Sequence, residues 1–427
     1  MAPHTAAPFH LLAKPAGSTC NLACEYCYFR AKAALYACSE QRMPDEVLDA
    51  YLRQLFAAQP SGEVSVAWQG GEPTLMGIPF FERAVELAER CRRGDQRVEH
   101  TLQTNATLID DEWAAFLAEN RFLVGVSIDG PAEVHDAHRR DPLGRGTHEH
   151  VIAGIRCLEA RGVQWNALVA VSAASEGRGA DVYRFLKDGA GARFVQFIPV
   201  VERPTRKGVP FGGEATPRSI TPEGYGSFMI DVFEEWVRRD VGRVFVQQFD
   251  DALAAHAGEP RMCLHSAACG RALALEFNGD VYSCDHFVQP DHLLGNVLET
   301  SLARLVESGR QAEFGRSKAT ALPLDCAACR ARFACNGGCP KDRFVPDPSG
   351  GPDLNYLCAG YQAFFAHTED AMQAMAALLR AGRAPAEIML GADEAQDLSR
   401  AARAAGRNDP CPCGSGLKAK RCHGARR

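Results

Sequence analysis

Three thiols in the stretch "STCNLACEYCYFR", residues 18 to 30, have the type and spacing to grip a metal centre: Cys20, Cys24 and Cys27 follow a CxxxCxxC pattern. Thiolates bind iron-sulfur clusters or zinc. Three sulfurs around a cubane cluster leave one iron open to a cofactor; a zinc site completed by a distant residue is the alternative. A second, denser group holds Cys263, Cys269, Cys284, Cys326, Cys329, Cys335, Cys339 and Cys358. Eight ligands suit two four-thiolate sites, and spacing alone leaves a pair of zinc ribbons open. At the end of the chain, "CPCGSGLKAKRCHG" sets Cys411, Cys413, Cys422 and His423 as CxC followed by CH, which suits a small tetrahedral zinc knuckle. Cys38, Cys91 and Cys157 fit no group and read as core or incidental thiols.

Loops of this kind need strands to hold them. Six β-rich runs qualify: "FHLLAK" from Phe9, "VSVAW" from Val64, "VEHTLQT" from Val98, "FLVGVSI" from Phe122, "VQWNALVAVS" from Val163 and "RFVQFIPVV" from Arg193. Helical patterns lie between them, over 45–58, 80–92, 110–119, 148–161 and 180–188. Strand and helix in strict alternation predict a parallel α/β barrel with right-handed crossovers. The first cysteines, "QGGEP", "TNAT" and "SIDGP" all fall at strand ends. In such a barrel those ends form one ligand-binding face.

Past residue 202 the pattern changes. A Pro- and Gly-rich loop precedes a helix at 225–239, and "FNGDVYSCD" carries a hairpin cue that puts Cys284 on a small β-hairpin. A further helix is expected over 361–380, then an Ala-rich helical linker. The whole chain has 427 residues, 46% of them hydrophobic, enough for two or more domains with a sizeable core. A net charge of -6 gives no general basic field, so no nucleic-acid partner is expected, although the last residues are locally basic. No signal-peptide pattern and no long apolar run occur, which predicts a cytoplasmic protein without a membrane partner. In that compartment 17 cysteines point to metal or catalytic use rather than disulfides.

"CNLACEYC" on the loop after the first strand, followed by "GGEP", resembles the radical S-adenosylmethionine enzymes. The resemblance implies that Cys20, Cys24 and Cys27 hold a 4Fe-4S cluster whose open iron takes S-adenosylmethionine. It further implies Gly70 and Gly71 against the amino-acid moiety, Ser127 for the ribose, Arg139 for a carboxylate, and Tyr26 and Val201 for the adenine. The cysteine-rich region is similar to the SPASM-type extension that binds two auxiliary 4Fe-4S clusters. That pattern assigns Cys263, Cys269, Cys284 and Cys339 to one cluster and Cys326, Cys329, Cys335 and Cys358 to the other. The tail looks like the SEC-C motif, a zinc module, which stands as a docking point for a protein partner or as a zinc tag without one.

Within that superfamily, "KPAGSTCNLACEYCYF", "QGGEPTLMG", "LQTNATLID", "VQFIPVVER", "GDVYSCDHFV" and "NGGCPKDRF" together resemble the anaerobic sulfatase-maturating enzymes. The resemblance implies a partial (β/α)6 barrel over 1–240, an auxiliary-cluster domain over 241–380, a linker over 381–406 and the zinc motif over 407–427. It implies oxidation of a cysteine or serine, within Cys/Ser-x-Pro-x-Arg of a sulfatase precursor, to Cα-formylglycine without oxygen, fed by an electron donor such as flavodoxin or ferredoxin. Asp285, next to Cys284, matches the family's proton acceptor. Two other readings remain: a radical maturase forming thioether or carbon-carbon crosslinks in a ribosomal peptide, and a non-catalytic iron-sulfur electron carrier.

Overall fold

Each of the six apolar runs forms a strand in a computed structural model of the chain. They are β1 (His10–Lys14), β2 (Gly62–Trp68), β3 (Gln96–Thr104), β4 (Leu123–Ser127), β5 (Gln164–Val171) and β6 (Phe194–Pro199). All pair in parallel and in sequence order. The structure describes residues 5, 7–36, 41–60, 62–258, 262–347, 350–390, 400–401, 404–413 and 415–422. Cys38, His423 and, within the Ala-rich linker, residues 391–399 and 402–403 lie outside the described residues.

Helices Asp45–Ala58, Ile78–Cys91, Asp111–Glu119 and His148–Ala160 carry the chain back between strands. Their starts follow local chemistry: Asp110 Oδ1 accepts the Trp113 backbone N–H at 2.9 Å, satisfying an otherwise unpaired donor of the first turn. Trp68 anchors the core beneath β2, edge-on to Tyr51 and Phe81 with ring centroids 5.7 and 5.8 Å away. The helix expected over 180–188 is Gly179–Arg184 continued by a wider turn, Phe185–Gly189, closed by an Ala190 N–H to Phe185 carbonyl bond of 2.9 Å. Cys91 and Cys157 pack at the margin of the core.

The sheet does not stop at six strands. β7 (Phe245–Val246) joins β6 in parallel, and β8 (Ala272–Glu276) joins β1 in parallel, with Lys14 opposite Glu276. β9 (Asp280–Tyr282) and β10 (Leu293–Asn296) then run antiparallel, giving ten strands in one sheet. The β8–β9 turn is the predicted hairpin: Gly279 takes a positive φ of 91°, and Asn278 and Asp280 hydrogen-bond each other across it. Cys284 lies two residues past β9 and starts a short turn over Asp285–Phe287.

Two long helices tie the cysteine-rich region to the barrel. Pro222–Arg239, which starts at Thr221 with Pro at the first position, packs on Cys358–Arg380. Gly226 and Gly360 meet at the crossing, where a Cβ on Gly360 would sit 2.1 Å from the Pro222 carbonyl oxygen. That close approach fixes the start of the second helix, and Cys358 with it. No described helix is long and apolar enough to cross a membrane.

Candidate active site

The cysteine loop after β1 is held by the "GGEP" segment after β2. Gly71 N–H donates to the Gly17 carbonyl at 2.7 Å and Glu72 N–H to Thr19 at 2.8 Å. Any Cβ on Gly71 would fall 1.9 Å from the Thr19 oxygen, so only glycine lets the two loops touch. Gly70 takes a φ of 125°. Glu72 is buried and its carboxylate accepts bonds from Thr74 N, Thr74 Oγ1, Thr104 Oγ1 and Asn105 N, all within 3.0 Å. Asn105 in turn aims its amide at Cys20 Sγ, 3.7 Å away, and the Leu22 N–H points at the same sulfur at 3.3 Å.

Burial pushes the Cys20 thiol up to about 12, with Glu72, Cys24 and Cys27 adding to it against the Leu22 N–H. Cys24 is raised by burial against the pull of Arg139. Thiols so placed ionise readily only beside a cation, which a metal ion held by them would provide.

On the far side of the loop, Tyr26 and Arg139 converge on Asp129. The Tyr26 hydroxyl donates to Asp129 Oδ2, and Arg139 Nε reaches the same oxygen at 2.9 Å. Asp129 Oδ1 accepts the Ala170 N–H at 2.9 Å, fastening the group to β5. Ser127 is buried at the end of β4, two residues earlier, and Val201 is half-buried just beyond β6. Tyr26, Ser127, Arg139 and the Gly70–Gly71 turn therefore all sit on the strand-end face.

Asp285 lies at the centre of a second cluster on that face. Its carboxylate pairs with Lys14 Nζ and accepts the Tyr28 hydroxyl at 2.5 Å. The Lys14 ammonium is fully buried, lies 3.8 Å over the Phe29 ring, and stands 3.6 Å from Glu276. Burial pushes Asp285 up, but Lys14, His286 and the Tyr28 hydroxyl outweigh it and hold the carboxyl below its ordinary range. Burial keeps His286 low, at about 4, so it is neutral near pH 7. The arrangement is a buried carboxylate kept ionised beside a buried ammonium, a group able to accept a proton.

The eight downstream thiols fall into two sets of four. Cys284 is raised by burial and feels Cys339 and Cys263, and Cys269 feels Cys263, while Cys339, pushed up to about 12, feels Cys269. Cys335, also pushed to about 12 by burial, feels Cys358, Cys326 and Cys329, and those four line one cavity. Cys411, Cys413 and Cys422 in the tail are tighter: their sulfurs lie within 4.8 Å of one another. Among the described residues no other three His, Cys, Asp or Glu side chains meet that spacing. Wider sets suit clusters in which each thiolate takes a different iron; the tight trio suits one tetrahedral ion.

A parallel barrel carrying three thiols at its strand-end mouth, with two further four-thiol sets behind it, defines a radical enzyme with auxiliary clusters. The family described as "Radical SAM superfamily" matches residues 15–185, "Iron-sulfur cluster-binding domain" 263–330 and "SEC-C motif" 407–425. A serine-type anaerobic sulfatase-maturating enzyme of Bacteroides thetaiotaomicron is 41% identical over 90% of this chain and 95% of its own length. A cysteine-type relative of Clostridium perfringens is 33% identical over 84% of this chain and 95% of its own. The solved structure of "Native anSMEcpe with bound AdoMet and Cp18Cys peptide" superposes with a TM-score of 0.78 at 31% identity, over 87% of this chain and 99% of that one. The chain belongs to the anaerobic sulfatase-maturating enzymes.

Sequence reasoning missed Lys14, Tyr28, Glu276, Glu72 and Asp129. Lys14 and Glu276 carried a readable signal, since each is a charged residue at the end of an otherwise apolar strand run.

Proposed function

We propose that the chain oxidises a cysteine or serine side chain of a sulfatase precursor to Cα-formylglycine without oxygen, as the names of its relatives indicate for them. The observation that carries the reading is the Asp285 carboxylate, kept ionised by Lys14 and placed one residue after Cys284. Oxidation at the substrate Cβ needs three removals: a hydrogen atom from carbon, a proton from the heteroatom and one further electron. S-Adenosylmethionine and its 4Fe-4S cluster, when bound at Cys20, Cys24 and Cys27, supply a 5′-deoxyadenosyl radical for the first. Asp285 takes the proton at a carboxylate oxygen, and Lys14 holds that oxygen in place. The auxiliary thiols, which adjoin Asp285 through Cys284, would hold the clusters that could accept the further electron. With serine the product is the aldehyde directly; with cysteine it is the thioaldehyde, which water converts to the aldehyde with loss of hydrogen sulfide.

The remaining roles follow the same reading. Gly70 and Gly71, packed against the cysteine loop, offer their backbone to the amino-acid end of the cofactor, Ser127 meets its ribose, Arg139 its carboxylate, and Tyr26 and Val201 its adenine. Cys263, Cys269, Cys284 and Cys339 hold one auxiliary cluster, and Cys326, Cys329, Cys335 and Cys358 the other. Cys411, Cys413, Cys422 and His423 hold zinc, and this tail meets a protein partner. A small electron carrier, flavodoxin or ferredoxin in type, reduces the enzyme in the cytoplasm.

The test is anaerobic reconstitution followed by incubation with peptides bearing Cys-x-Pro-x-Arg and Ser-x-Pro-x-Arg. Mass spectrometry should reveal an aldehyde product from at least one. Unmodified peptides at full iron loading, with 5′-deoxyadenosine formed, would defeat the maturase reading.

A further inference from the structure

Two cations stand among the auxiliary thiols with no carboxylate beside them. Arg343 is half-buried, and four backbone carbonyls take its guanidinium hydrogens: Nε donates to Gly337 at 3.1 Å, Nη2 to Asn336 at 3.0 Å, and Nη1 to Lys318 at 2.8 Å and Ala321 at 3.1 Å. Lys318 is 1% exposed and its ammonium donates to the carbonyls of Cys263 and Leu264 at 2.7 and 2.8 Å. Among the described residues neither side chain forms an ion pair with Asp or Glu. Carbonyls orient a cation but leave its charge uncancelled, and a buried charge without a counter-charge is costly.

The location of Arg343 says what cancels it. Asn336 and Gly337 lie in the "CNGGC" loop between Cys335, of one thiol set, and Cys339, of the other. The charged groups facing Arg343 come from both sets: Cys326 and Cys335 on one side, Cys269 and Cys339 on the other, with Lys318 covalently part of the helix it grips. Lys318 faces Cys269, Cys339 and Cys263, which all belong to a single set. A thiolate-bound cluster is anionic, and it gains one more negative charge on reduction. A fixed cation nearby stabilises the reduced form, as hydrogen bonds and charge around iron-sulfur sites generally do.

We propose that Arg343 is a positioning residue acting as an electrostatic bridge that raises the reduction potentials of both auxiliary clusters together, while Lys318 raises only the one at Cys263, Cys269, Cys284 and Cys339. The inference rests on the reading that these two sets bind 4Fe-4S clusters. Its use is directional: clusters held at higher potential accept the substrate's electron more readily, and one cation shared between them keeps the two matched.

The experiment is potentiometric titration, followed by electron paramagnetic resonance, of the full chain reconstituted anaerobically in a Cys20→Ala, Cys24→Ala, Cys27→Ala background. That background leaves only the auxiliary signals. Arg343→Gln should move both midpoint potentials to more negative values, Lys318→Gln should move one, and Arg343→Lys should keep both near the parent. Unchanged potentials in Arg343→Gln at parental iron content would overturn the proposal. So would an Arg343→Lys shift as large as that of Arg343→Gln, since lost clamp geometry rather than charge would then be the cause. Should Arg343→Gln fail to load iron, Arg343→Met carries the same test, with both potentials expected to fall and unchanged potentials at parental iron content overturning the proposal. Fewer than two clusters in the parent background would instead defeat the cluster assignment itself, leaving the two failures distinct.

Discussion

Lys14 and Asp285 form an ion pair across the barrel mouth, although one ends β1 and the other follows β9. The pairing depends on the parallel β1–β8 ladder, which sets Lys14 opposite Glu276 and folds the hairpin so that Asp285 returns to the same ammonium. One cation thus serves two carboxylates shifted in opposite directions. Asp285 is held below its ordinary range, while burial outweighs Lys14 at Glu276 and leaves that carboxyl raised.

Replacing the cation should change the pH at which the base works. In Lys14→Met, burial governs Asp285 and its pKa rises. A base is lost as pH falls through its pKa, so the acid limb of formylglycine formation should move to higher pH. Product at neutral pH should fall by about tenfold or more, with 5′-deoxyadenosine still formed. Asp285→Asn should cost product at every pH while retaining iron. A pH profile that superposes on wild type in Lys14→Met would refute the pairing's role.

Lys32 offers a stability test on the same cluster. Buried, with its ammonium donating to the Val288 carbonyl at 2.7 Å, it is lowered to about 8 by burial first and by Lys14 second. The unfolded chain holds that proton up to the ordinary lysine value near 10.4. The cost of charging Lys32 is therefore fully present below about pH 8 and relieved as pH rises toward 10. Stability of wild type relative to Lys32→Met should increase across that window by roughly 2 kcal/mol, read from denaturant midpoints at matched pH values. A difference that stays flat with pH would contradict the lowered value.

The contact between the two loops at the first cysteines should be intolerant of one methyl group. Gly71→Ala would drive a Cβ to within 1.9 Å of the Thr19 oxygen, and the cysteine loop must move. Iron content should drop by one cluster while the auxiliary clusters persist. Gly94→Ala, where nothing lies within 4 Å of the added atom, should keep all its iron. Equal iron in the two variants would count against the loop contact.

The tail should bind its metal independently of the iron sites. Cys413 Sγ lies 3.6 Å from Cys422 Sγ, and Cys413→Ser should abolish zinc, measured by plasma mass spectrometry, without lowering iron. Zinc retained at wild-type stoichiometry would remove the trio as its site.

The barrel was legible because its strands are buried apolar runs and its loops carry cysteine and glycine at fixed spacings. Asp285 was legible as the neighbour of Cys284. Its partners were not, because Lys14 and Glu276 become neighbours only through a strand pairing between distant parts of the chain. The extent of the sheet was hidden for a similar reason. β7 is two residues long and makes no pattern, and nothing in "ALALE" says that its neighbour is β1 rather than a strand of its own region. Asp129 shows the limit at single residues: within "SIDGP" it reads as a turn aspartate, and only the fold brings Tyr26, Arg139 and the Ala170 N–H to its two oxygens.

The ladder from His10↔Ala272 to Lys14↔Glu276 also determines where this chain can be cut. A fragment ending near residue 240 would contain every residue of the radical site yet leave one whole side of β1 without hydrogen-bond partners. Such an open edge recruits strands from other molecules. The cysteine-rich segment is thus, beyond any part in electron transfer, the cover of the β1 edge.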